Sequence, residues 1–458
     1  MSFFSRLVCV AALALGPAWT AAAQEGSLTI SVGFGPTAEV PDPRASYNGW
    51  MSNQTGVTET LMGIDYDMNL YPRLAAGIEQ SSPTTWRVTL RDGVTFHDGT
   101  PVTAQAVVDA IAPISDEAHP GHNARVAKLL DLADLSTDGD AVVVFETSSP
   151  NAAFTWTMSE QEIAATPNPS TAALAFEAGE VDLVINYPET DFARIQDTGA
   201  QGFSAPTARL YFYTVNAASG PMANPLIRQA VSYAIDREGI VDAALSGVGG
   251  VPAGTVFPKG KGWAADIPAT YDPAKAEALL AEAGAVKEGG TWMLDGAPLE
   301  IDIVTYASRA ALPPTAELTQ AFLAAIGVKA TITVGEWGTS NDAIAAGDAD
   351  LFLQAWVTTP QGDPGAVLET LLKSDGGSNT GGFTNARLDE LLDQGRLTFD
   401  HDARKAIYDE VQQIIVAEAA MIPVFHVSQT NVGVPGLTGY RVHPTETYWI
   451  THETNLSE

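Results

Sequence analysis

One short stretch, WRVTLRDGVTFHDGTPVTAQAVVDAI (residues 86–111), crowds His97, Asp92, Asp98 and Thr100 together. A histidine beside an aspartate is the beginning of a general-base pair, provided that a nucleophile is aimed at it. The local pattern accounts for these residues without chemistry. WRVTL alternates as a strand, RDG turns, VTF starts a second strand, and Asp98-Gly99 makes another turn. Pro101 and Thr103 then open a helix that buries Val107, Val108 and Ile111. Asp98 is expected to bond its own turn and Thr103 to cap, so His97 and Asp98 read as structural.

Other reactive-looking patterns fail on their own terms. GFSAP at Gly202 lacks the last glycine of a nucleophile elbow, and HETNL at His452 lacks the second histidine of a zinc-protease helix. DLSTDGDAVVVF, from Asp134, spaces its acids like a calcium loop but has Phe145 where the bidentate glutamate belongs, and so reads as a hairpin. His119 and His122 stand near Asp116 and Glu117, but Pro120 and Gly121 keep a helix from presenting them on one face, so an exposed loop is favoured. GVGGVPAG (247–254) follows a helix instead of a strand and lacks a third glycine, which refuses a dinucleotide fingerprint and leaves a hinge between lobes. No metal, cofactor or catalytic residue is assigned.

Composition narrows the class. The 458 residues include 55 Asp and Glu against 23 Lys and Arg, a formal net charge of -32 that repels nucleic acid and anionic lipid. Residues 1–23 read as a secretory signal, with Arg6, a short apolar run and AAAQ before Gln24; the run is far short of the roughly 20 residues that span a bilayer. The single cysteine, Cys9, lies within that segment and leaves the mature chain without a thiol. A periplasmic monomer is expected.

The elements between Pro298 and Trp356 set the fold class. PLEIDIVTY alternates, PTAELTQAFLAAIG has helical spacing and stops at Gly327, VKATITV alternates again, SNDAIAAG is a short helix and DADLFLQAW a buried strand. This β-α-β-α-β order predicts a parallel sheet with helices packed on it. TAALAFEAGEVDLVIN (171–186) repeats the helix, glycine, acid, strand order and gives mild support for two α/β lobes. NPLIRQAVSYAID and YDPAKAEALLAEAG read as packing helices with good caps.

LRDGVTFHDGTPVTAQAV resembles the signature of the family 5 solute-binding proteins of ABC importers, the peptide and nickel class. So do VTETLMGID, LYPRLAAGIE, ALAFEAGEVDLV, RQAVSYAIDREGIV, YDPAKAEALLAEAG and GGFTNARLDELLD, in order along the chain. The resemblance implies an α/β, bilobal, type II periplasmic-binding-protein fold with a peripheral subdomain on the first lobe. It implies capture of a small peptide or nickel chelate for an ABC permease, with no reaction catalysed. The expected division is 24–49, 166–250 and 425–458 for the first lobe, 50–165 for the subdomain and 251–424 for the second lobe. The family's long insert before Thr171 is missing, since EIAATPNPSTAALAF passes straight across. A secreted hydrolase and a degenerate binding protein are the alternatives.

In open α/β sheets a ligand lies beyond the carboxyl ends of the parallel strands. Those ends bring Tyr306, Ser308 and Arg309, then Glu336 and Trp337, then Trp356, Thr358 and Thr359. Trp356 offers a flat wall and Arg309 a planar fork for a carboxylate. TYASRAALP, AWVTTPQGDP and SNTGGFTN are similar to the nickel-binding branch, adding Asn379 and Phe383. Family peptide binders carry an aspartate after this tryptophan; Thr358 and Thr359 stand there, with Asp363 nearby. Residues 306–383 contain no histidine, so nickel would arrive as a chelate. Tyr47, Tyr213 and His426 are expected to face the site from the first lobe.

Overall fold

The structure is a computed structural model that describes residues 30–31, 53–54, 58–96, 98–119, 122–158, 173–174, 176–360 and 362–457. The expected signal segment, Tyr47, His97, residues 24–29 and 32–49 of the expected first lobe, and most of the short crossover before Thr171 lie outside them.

The predicted β-α-β-α-β run is present. Strands Glu300–Tyr306, Lys329–Gly335 and Leu351–Val357 are parallel, with Glu300–Tyr306 between the other two. Helices Leu312–Ile326 and Trp337–Ala346 connect them. The first helix starts on prolines, which lack the amide hydrogen that a first turn leaves unused, and stops at Gly327 in the left-handed region with φ 90°.

Two long strands, Gln201–Val215 and Met421–Gly433, pair antiparallel from Gly433↔Gln201 to Met421↔Thr214. At one end, Val432 and Gly433 pair on their other side with Leu183–Val184, which in turn pairs with Ile30–Ser31. At the other end, Arg209 to Val215 pair with Leu351–Val357. One eight-stranded sheet among the described residues therefore runs through both lobes, and the same two strands belong to each. Their register slips between Pro423 and Phe425 and again between His426 and Ser428. The first slip starts at a proline, which has no amide hydrogen for the ladder.

The second lobe has an apolar cluster on each face of this sheet. One gathers Ile227, Val231, Leu280, Ile303, Leu323 and Phe352; the other gathers Phe212, Leu368, Leu388, Leu392, Tyr408 and Ile415. Helices Pro225–Ala234 and Arg237–Ala244, which the expected division gives to the first lobe, pack in the first cluster. Their apolar stripe, Ile227, Ala230, Val231 and Ala234, is buried with Ala276 and Leu280 of the next helix. Within the glycine-rich segment expected as a hinge, Gly250–Pro252 is a strand paired with Phe425 to Val427, beside the two long strands that run through both lobes.

The peripheral subdomain is a four-stranded antiparallel sheet of Ala75–Ser82, Thr85–Leu90, Val142–Thr147 and Leu132–Thr137, covered by helices Ala104–Ser115 and Ala124–Leu130. Trp86, Val88, Val143, Phe145 and Phe154 fill it. Asp98 accepts from the Thr100 amide at 2.9 Å and hydroxyl at 2.6 Å, and Thr103 caps Ala106 at 3.2 Å, as their spacing predicts. Those Thr100 bonds hold the Asp98 carboxyl below its ordinary pKa. The calcium-like segment is the hairpin joining the last two strands, and Asp138 pairs with Arg87. The subdomain also leans on the second lobe: Trp156 meets Trp263 edge-on at 6.0 Å, and the Ala152 amide donates to the Arg396 carbonyl at 2.8 Å.

Candidate functional site

The three parallel strand ends bring Tyr306, Trp337 and Trp356 onto one glutamine's surroundings. Gln354, 2% exposed, accepts from the Trp356 indole at 2.8 Å and from the Trp337 indole at 3.3 Å. Its amide donates to Thr214 at 2.7 Å, which fixes which end of the side chain faces the tryptophans. Trp337 starts its helix and is 43% exposed, while Trp356 is half-buried and Tyr306 is buried against Phe352 at 6.1 Å. Two indoles held by one buried amide form a pre-oriented aromatic wall.

A charged group gathers separately around Arg209, whose strand pairs Val357 with Arg209 and Ala355 with Tyr211. Arg209, on the first long strand, donates through Nε to Glu446 at 3.0 Å, and the Thr207 hydroxyl adds a second bond of 3.0 Å. Burial alone would push the Glu446 carboxyl up, but the charge and hydrogen bonds of Arg209, with Arg309 beyond, hold it below the usual range. Two residues after Arg209, Tyr211 stacks on Phe425 at 4.6 Å. Burial raises the pKa of its hydroxyl, partly offset by the charge of Arg309 and a hydrogen bond with it. Arg309 itself sits in the turn after Tyr306 and remains partly exposed. It is thus the cation of the group that still reaches solvent, whereas Arg209 is committed to Glu446.

The structure brings Trp337 and Trp356 together on Gln354, sets Tyr306 against Phe352 and Arg309 against Tyr211, and places the other predicted residues apart from these contacts. Tyr213 is fully buried, and its hydroxyl bonds Thr319 at 2.8 Å. Thr358 lies 3.1 Å from the Ala208 carbonyl and 3.0 Å from that of Val256, while Thr359 is buried with its hydroxyl unpartnered. Asp363, 1% exposed, pairs with Arg404 and accepts from the Gly365 amide at 2.8 Å, so its carboxylate is spoken for. Asn379 ties a loop through the Phe383 amide at 3.1 Å and carbonyl at 2.7 Å, and the Phe383 ring is in the core. His426 is buried in its strand, and burial pushes its pKa down to about 4, leaving it neutral near pH 7.

Sequence reasoning missed Arg209, Tyr211, Gln354 and Glu446. The available signal was a charge inside an apolar strand: Arg209 interrupts TARLYFYTV, and a buried arginine needs a partner. Nothing in the local pattern named that partner, which is 237 positions away. Among the described residues no group of three or more His, Cys, Asp or Glu could hold a metal ion. The paired indoles offer a flat apolar surface, and the partly exposed Arg309 is suited to an anionic group.

The family model for bacterial extracellular solute-binding proteins, family 5 middle, matches residues 69–167 and 158–379. A dipeptide-binding protein of Pseudomonas aeruginosa is 30% identical over 276 residues, covering 59% of this chain and 50% of that protein. The nickel-binding periplasmic protein of Escherichia coli is 28% identical over 299 residues, covering 61% of this chain and 56% of that one. The chain spans about half the length of the curated relatives it matches. The crystal structure of a nickel ABC transporter protein from Bacillus halodurans superposes with a TM-score of 0.80 at 21% identity, covering 94% of this chain and 100% of that one. That likeness shows the bilobal α/β fold.

Proposed function

Because the chain belongs to the family 5 bacterial extracellular solute-binding proteins, we propose that it captures a small peptide or a nickel chelate in the periplasm and delivers it, as a monomer, to an ABC permease. The observation that supports this reading is the tryptophan wall oriented by Gln354, together with the partly exposed Arg309 in the turn after Tyr306. Short peptides and chelates both present carboxylates, and a guanidinium fork suits them. Asp363 is held by Arg404, so an amino terminus finds no free carboxylate there. The proposed role is binding and release, without turnover.

The test is to purify the mature protein gently and identify the carried solute by native mass spectrometry. Calorimetry with dipeptides and with nickel–histidine chelates then follows on protein stripped of that solute. Saturable binding of one class with the solute recovered unchanged supports the proposal. Chemical conversion of the bound solute, or binding of neither class, counts against it.

A further inference from the structure

A cavity of 710 Å³ lies where the start of the peripheral subdomain meets the C-terminal segment of the first lobe. None of its lining residues belongs to the group around Arg309 and Trp356. The turn that begins at His443 separates the two sites. Glu446 on this turn faces Arg209, while His443 lies tilted against Tyr66 at 5.2 Å and edge-on to Tyr448 at 4.8 Å on the cavity side. The His443 ring bonds the Ile64 carbonyl at 2.9 Å, and burial pushes its pKa down to about 4, so it serves as a neutral wall.

Three arginines edge this cavity in a chain whose acids outnumber its bases by more than two to one. Arg441 lies over the Tyr66 ring at 3.7 Å and Arg73 over the Tyr448 ring at 4.9 Å. A guanidinium held by its face keeps its in-plane hydrogens for an acceptor. Arg73 and Arg91 share one carboxylate, Glu59, at 3.6 Å each, beyond the roughly 2.7–2.9 Å of a strong charged hydrogen bond. Arg441 reaches Glu453 at 3.3 Å, and Asp65 is turned to the amides of its own loop at 2.8 Å. A second observation is independent of charge: Asn53, 1% exposed and lining the cavity, bonds Arg73 through its oxygen at 2.8 Å but leaves its amide nitrogen without a partner. A buried donor left unpaired is costly unless something else accepts from it.

We propose that this cavity is a second ligand site, independent of the site between the lobes, for a flat organic anion of the aromatic carboxylate class. Its carboxylate bonds Arg91, Arg441 and the Asn53 amide, and its ring lies against Tyr66 and Tyr448. Phthalate and inorganic phosphate serve as probes, titrated calorimetrically into the full mature chain. The parent protein is expected to bind one phthalate per chain, and Arg441→Gln to weaken it at least tenfold. The Arg441 side chain is 56% exposed, so this variant keeps its fold, and Arg91→Gln gives an independent reading. Arg309→Ala leaves phthalate binding unchanged. Three results would overturn the proposal: no saturable phthalate binding, an affinity that follows Arg309 and ignores Arg441 and Arg91, or phosphate bound as tightly as phthalate.

Discussion

Arg209 and Glu446 form a buried, two-pronged ion pair in which the arginine belongs to a strand shared by both lobes and the glutamate to the C-terminal segment of the first. The glutamate backbone is in the left-handed region, at φ 57°. Such strain in a residue other than glycine persists only where its surroundings hold it.

Glu446→Ala is expected to strand the Arg209 charge inside the protein and to cost about 3–5 kcal/mol in urea unfolding. Arg209→Met combined with Glu446→Leu should recover most of that loss. The folded-state pKa of Glu446 is depressed, so its contribution is present above the ordinary 4.5 and is lost as pH falls below that value. Stability measured from pH 6 to 3 should therefore fall less steeply in the double variant than in the parent.

For the solute site, Arg309→Ala and Trp356→Ala should each weaken binding of the native solute by more than tenfold, about 1.4 kcal/mol, with unfolding midpoints close to the parent. Tyr213→Phe, which removes a core hydroxyl, should lower stability and leave affinity within about twofold, because that hydroxyl is bonded to Thr319. Parent-like affinity in both cleft variants would place the solute elsewhere.

Glu369 gives a pH dependence of opposite sign. It lines a 450 Å³ cavity between the subdomain and the second lobe, where burial pushes its carboxyl up to about 7. Arg396 and Lys373 oppose that shift, while Asp363 and Asp393 add to it; Lys128, Asp131, Asp375 and Arg404 complete the charged lining. An acid with a raised folded pKa loses stability as pH rises from its ordinary value of 4.5 through 7. Glu369→Gln should thus stabilise the protein by about 1–3 kcal/mol at pH 8 and by little at pH 4, read from denaturant midpoints.

Because the lobes are joined through paired strands whose register slips twice, bending should concentrate between Pro423 and Ser428. Small-angle scattering should show a smaller radius of gyration with solute bound. An unchanged profile at saturating solute would contradict hinge closure.

The parallel run of the second lobe was legible because Ile301, Ile303, Ala330 and Ile332 alternate with polar residues and Gly327 and Gly347 mark the helix ends. The Asp98 turn was legible because its bonds span two residues. Lobe membership was harder: the apolar stripe of Pro225–Ala234 declares a buried face and says nothing about what covers it. Asp363 looked available because its partner, Arg404, is 41 residues away. The positions of Tyr306 and Trp356 at strand tips follow from the strand pattern, whereas the pairing of Glu446 joins distant segments that only the fold provides.

The two long strands also constrain the order in which this molecule can be made. Residues 201–206 pair with residues 428–433, and nearly the whole second lobe is strung between them. A chain emerging from its amino terminus can complete that inserted lobe's helices while the first lobe's sheet still lacks an inner member, and the ladder stays open until residue 433 is delivered. Until then Leu183 and Val184 have no antiparallel neighbour, and the edge they present is open to pairing with another chain.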